Sequence, residues 1–134
     1  MKFLLPLFFV FVIGAGSAYG YGEVSTFDFK IVNSLGEEIK SPVVDQQLNL
    51  QTSLKNLSGK SVDWTYIVQI INSDGAIVDL KYAAGSLVKN QTLTAALSWT
   101  PQSSGNYKIE TFVWDNLRDI DPLGPMSSYI ITVT

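Results

Sequence analysis

The side chains best suited to acid–base, nucleophilic or metal chemistry are missing from this sequence or scattered along it. Its 134 residues include no histidine and no cysteine. That removes the commonest general base, the thiol nucleophile and the usual ligands for zinc and copper. A Ser–His–Asp arrangement cannot be built. The adjacent carboxylates Glu37 and Glu38 sit beside Gly36 in a turn, where a solvated loop is the simpler reading. Lysines and tyrosines could act as acid or base, but no spacing brings them together. The sequence therefore reads as non-catalytic and without a cofactor.

Oxygen ligands for a hard cation are the remaining option. "DNLRDIDPLGP", residues 115–125, carries Asp115, Asp119 and Asp121, with Asn116 as a neutral oxygen donor. Calcium takes several oxygens from one flexible loop. The spacing matches no calcium loop, however, and Arg118 lies in the middle. The expectation is a solvated connection with no tight metal site. Asn56-Leu57-Ser58 and Asn90-Gln91-Thr92 match the N-glycosylation acceptor pattern at turns or strand starts, which makes Asn56 and Asn90 candidate glycan sites. The nine basic residues are dispersed, and the net charge is −3. Nucleic acid is accordingly excluded as a partner.

These residues have to be positioned by some framework, and its first stretch stands apart. "MKFLLPLFFVFVIGAGSAYG" places Lys2 before an apolar run from Phe3 to Ile13 and ends in small residues. This is the layout of a secretory signal peptide, cut after Gly20 or after Ala18. The run is short for a spanning helix, which needs roughly 20 apolar residues. An uncleaved anchor is the rival reading, and only that reading brings in a membrane. Residues 21–134 then form one domain on the outside of the cell. Without cysteine, it must be held by apolar burial alone.

From Thr26 onward, short apolar–polar alternations are separated by turn residues, as in an all-β sandwich or barrel. Strands are expected at Thr26–Val32, Gln47–Lys55, Trp64–Asn72, Ala76–Leu80, Thr92–Trp99, Tyr107–Trp114 and Ser128–Val133. A shorter extended piece is expected at Ile39–Val44. Asp74-Gly75 between two apolar runs is the strongest hairpin signal. Leu48, Leu50, Thr52 and Leu54 alternate with polar residues, as do Leu93, Ala95, Leu97 and Trp99. Each of these strands therefore buries one face.

"SWTPQSSGNYKIETFVWD" carries the most specific pattern. Trp99 closes one strand, Pro101 ends it, Gly105 permits a positive φ, and Tyr107 opens the sixth strand. Gly105-Asn106-Tyr107 resembles the tyrosine corner of immunoglobulin-like sandwiches, in which the hydroxyl turns back onto the preceding corner's backbone. For Tyr107 that partner should lie between Trp99 and Gly105. Together with "YIVQIINSDGAIVDL", the stretch is similar to small secreted immunoglobulin-like proteins of archaea, related in pattern to the cell-adhesion-related (CARDB-like) domains. The resemblance implies an immunoglobulin-like antiparallel β-sandwich of about seven strands. Leu50 and Ile109 stand where antibody-type domains carry their cysteine pair, which places the chain in the cysteine-free branch.

Parity then sorts the aromatic residues. Tyr66, Trp99, Tyr107, Phe27 and Phe29 point inward. On the third, sixth and seventh strands Ile67, Ile71, Phe112, Trp114 and Ile130 point outward, as one apolar surface of the kind that marks an interface. Two features could defeat this: a loop (81–89 or 115–125) folded over the patch, or a bulge that shifts the parity. The resulting expectation is a secreted or cell-surface binding and adhesion module with a protein partner. A self-associating structural subunit of a surface assembly and a carbohydrate-binding module using outward rings are the alternatives.

Overall fold

The computed structural model describes residues 22–134; the leader and its cleavage points lie outside them. Seven strands form in order: β1 (Val24–Val32), β2 (Leu48–Asn56), β3 (Val62–Ile71), β4 (Ile77–Leu87), β5 (Thr92–Trp99), β6 (Gly105–Trp114) and β7 (Ser127–Val133). They pair antiparallel in two sheets, β1-β2-β5 and β4-β3-β6-β7. The protein is an immunoglobulin-like β-sandwich.

The inner faces follow the alternation. Leu48, Leu50, Thr52 and Leu54 of β2 are buried, facing Tyr66, Val68 and Ile70 of β3 and Ile109 and Val113 of β6. Full burial of each such aliphatic side chain contributes about 1.5–3 kcal/mol, and this burial replaces a disulfide. The β3–β4 hairpin forms at Asn72–Ala76. The Asn72 carboxamide oxygen accepts from the amides of Asp74 and Ala76, and Gly75 takes a φ of 86°.

Tyr66 and Thr52 tie the two sheets together through a buried hydroxyl–hydroxyl hydrogen bond of 2.8 Å. Burial pushes the Tyr66 phenol up to about 12, because the phenolate would lose its water. An acid whose folded pKa exceeds its unfolded value of about 10 stabilises the fold below pH 10. That stability is lost as pH rises from about 10 to 12. The Tyr66→Phe variant should start less stable, with Thr52 left unpartnered, and should lose less on the same rise. Denaturant titrations at pH 8 and pH 11 read both effects; equal pH slopes for the two proteins would contradict this account.

Three local expectations need correction. Phe27 is exposed rather than inward, because a bulge between Phe27 and Lys30 adds one residue to β1. Asp28 takes a φ of 59° there, and parity reverses, so that Phe27 lies opposite Ser53 on the outer face while Phe29 stays inward, stacked on Tyr129. Residues 39–44 form no strand. Val32 bridges Glu38 alone, and Ile39 and Val44 pack on the core from a loop. β4 continues through Lys81–Leu87, where a loop was an option, paired with β3 to Val62–Leu87. The connection 115–125 is pinned at Leu123. Leu123 is drawn into the core, where its carbonyl accepts from the amides of Gly22 and Val24 and its own amide donates to Val113.

Candidate interaction surface

The outer face of the β4-β3-β6-β7 sheet is set by register. Ile67 of β3 lies between Tyr82 of β4 and Phe112 of β6, and Thr65 lies between Ala84 and Trp114. The Phe112 and Trp114 rings meet at 5.7 Å between centroids, tilted by 54°. These large neighbours enclose Ile67, which is only 3% exposed despite its outward parity. The expectation of an exposed Ile67 therefore fails: it is the floor of the patch, not its surface. Phe112 and Trp114 are half-buried, and the accessible apolar area is supplied by Leu80 (56% exposed) and Tyr82 (57%) of β4.

The expected single patch is also divided. Gln69 donates to Glu110 at 2.8 Å, and Lys108 lies 3.6 Å from the same carboxylate, which draws a polar stripe across β3 and β6. Ile71 and Ile130 (69% exposed) flank Lys108 on the far side of that stripe. Tyr82 and Leu80 join this face because β4 pairs with β3 beyond the three strands that parity alone assigns to it. The cue was present in the alternation of Val78, Leu80 and Tyr82 with Asp79 and Lys81.

At the tyrosine corner, the Tyr107 hydroxyl donates to the Ser103 carbonyl at 2.6 Å, and the ring packs edge-on to Trp99 at 5.0 Å. Gly105 takes a φ of 145°, which disfavours any side chain. Pro101 is buried just after β5, and its carbonyl accepts from Asp45.

Asn56 is wrong as a glycan site. It is 0% exposed, with its amide donating to the carbonyls of Lys60, Leu87 and Val88 at 2.8–3.1 Å. An oligosaccharyltransferase cannot reach that nitrogen in the folded chain. Asn90 is exposed at the Val88–Gln91 turn.

The acidic connection spends its oxygens on itself. Asp115 Oδ1 accepts from the amides of Asn116 and Asp121, and Asn116 Oδ1 accepts from those of Arg118 and Asp119. Among the described residues, no three acidic side chains gather as a metal site requires.

Comparison with known proteins places these features in context. A family model, S-layer A-like, matches residues 8–132. Among curated protein sequences there is no match. The CARDB domain of a Pyrococcus furiosus protein, crystallised in complex with di-metal ions, is 19% identical over 87% of this chain and 97% of that one, with a TM-score of 0.60. The C-terminal domain of wzt is 18% identical over 87% of this chain and 76% of that one, with a TM-score of 0.73. A Bacteroides uniformis β-glucuronidase is 14% identical over 78% of this chain but only 13% of its own, with a TM-score of 0.63. At these identities the structures share a fold, and the glycosidase match is confined to a fraction of that enzyme. The S-layer A-like family match supports a non-catalytic module of the cell surface or extracellular space, and the CARDB likeness supports the fold.

Proposed function

Because the chain belongs to the SlaA-like, or S-layer A-like, family, we propose that it is a secreted structural module that associates with further copies of itself through the outer face of the β4-β3-β6-β7 sheet. The observation that carries this is the apolar group of Leu80 and Tyr82, largely exposed beside Phe112 and Trp114 over a buried Ile67. Such a group on a small domain marks an interaction site, and aromatic rings are favoured anchors. Its polar boundary at Gln69, Glu110 and Lys108 supplies hydrogen-bonding groups for a rim.

Tyr82 and Leu80 are the positions to change, since Phe112 and Trp114 also shield Ile67. Tyr82→Lys with Leu80→Lys should abolish concentration-dependent mass in sedimentation, with folding stability held within about 0.5 kcal/mol of the parent. A parent chain that stays monomeric to millimolar concentration overturns the proposal. So does a double variant that associates as the parent does.

A further inference from the structure

The β3–β6 ladder ends at Thr65–Trp114, whereas the β3–β4 ladder runs on through Trp64–Gly85 and Asp63–Ser86 to Val62–Leu87. Backbone N–H and C=O groups along a strand point alternately to its two neighbours. In Val62–Trp64, therefore, every second residue aims its backbone at the side where β6 has already ended. Among the described residues, nothing beyond β4 forms a hydrogen bond with that backbone. The chain turns away instead, with the Asp115 amide donating to the Asp121 carbonyl at 2.9 Å. A cleft of about 730 Å³ is left between β3 and the 115–123 connection.

The lining says what fits. Glu23, Asp63, Asp115 and Asp121 face a single cation, Lys60. Two of the carboxylates are held in place: Asp63 accepts from the Ser86 hydroxyl at 2.7 Å, and Asp115 accepts from two amides. The acids are too dispersed to converge on one metal ion, but dispersed acceptors suit several ammonium or guanidinium groups along an extended chain. Trp64 also lines the cleft. It is 6% exposed, and its indole Nε1 is the one buried side-chain polar atom among the described residues without a hydrogen-bond partner. The indole packs over Gly85 of β4, so the ring closes one wall of the cleft while the free backbone of β3 faces the other way.

We propose that this cleft binds an extended, lysine- or arginine-bearing polypeptide segment, which adds a short strand to the vacant side of β3. Backbone hydrogen bonds to Val62–Trp64 supply the docking mode, and the four carboxylates select for basic side chains.

The probe is the peptide acetyl-Thr-Lys-Val-Lys-Thr-Lys-amide, followed by amide and indole chemical shifts in the folded protein. Shifts should concentrate at Val62–Trp64, at the Trp64 indole and at residues 115–121. Asp63→Asn with Asp121→Asn, both exposed positions, should weaken binding by about tenfold, and added salt should weaken it further. The same peptide N-methylated at alternate residues should not bind. The proposal is overturned if no shifts appear, or if the N-methylated peptide binds equally. It is equally overturned if a peptide with Glu in place of Lys binds as well, or if calcium chloride alone produces the same shifts. Tyr82→Lys lies outside the cleft and should leave peptide binding intact, which separates this result from the test of self-association.

Discussion

Replacing Asn56 with alanine is expected to lower folding stability by about 3 kcal/mol, a large loss for a single polar side chain. The Asn56 amide nitrogen shares its two hydrogens among the carbonyls of Lys60, Leu87 and Val88. Its oxygen accepts from the Ser58 amide at 2.9 Å and the Ser58 hydroxyl at 2.8 Å. One side chain therefore joins the end of β2, the turn before β3 and the end of β4. Truncation to alanine leaves the buried Leu87 carbonyl without this donor, removes the part-buried bonds to Lys60 and Val88, and empties a fully buried site. Urea unfolding should show a reduced midpoint with an unchanged slope. A loss below about 0.5 kcal/mol would mean that these bonds are replaceable. Asn56→Asp should be worse at neutral pH, because a carboxylate would face carbonyl oxygens. That acid's folded pKa must lie above its unfolded one, so the variant recovers as pH falls and its carboxyl regains a proton to donate.

Gly124→Ala is expected to cost about 2 kcal/mol by overpacking. A Cβ there would sit 2.6 Å from the Val24 carbonyl oxygen and 3.4 Å from Val113 Cγ1. The segment cannot slide to make room, because Leu123 is held on both sides: its carbonyl by the amides of Gly22 and Val24, its amide by the carbonyl of Val113. The change would loosen the seam between β1 and β6 and lower the melting temperature. Gly59→Ala is the control, with open space around the added methyl and no positive φ. It should be neutral or slightly stabilising through its effect on the unfolded chain. Equal losses at the two positions would show that the Val24 clash is not the cause.

Several elements were legible in the residues alone. Thr92–Trp99 coincides with β5 at both ends, since its alternation is unbroken and Pro101 stops it. Leu48, Leu50, Thr52 and Leu54 showed the buried face of β2, because a half-buried strand must alternate with period two. Gly105 and Tyr107 indicated the corner, because few residues suit a φ of 145° or carry a hydroxyl back to Ser103. The absence of histidine and cysteine narrows the chemistry on composition alone.

Other features were decided only by the tertiary structure. The bulge at Asp28 reverses Phe27 through pairing with β2, which β1 does not encode locally. Ala83, Ala84 and Gly85 have weak strand propensity, yet they are strand because β3 supplies a partner along their whole length. Leu123 lies in an acidic connection with no alternation, and its burial comes from β1 and β6. Asn56 looked like a surface acceptor because its tripeptide records only what an enzyme could recognise, not the three carbonyls that converge on it. Ile67 shows the difference most directly. Its own strand determined that it points outward, but Tyr82 and Phe112 from two other strands determined that water does not reach it. Alternation along a strand reports which face a side chain is on, whereas burial depends on what distant segments place over that face.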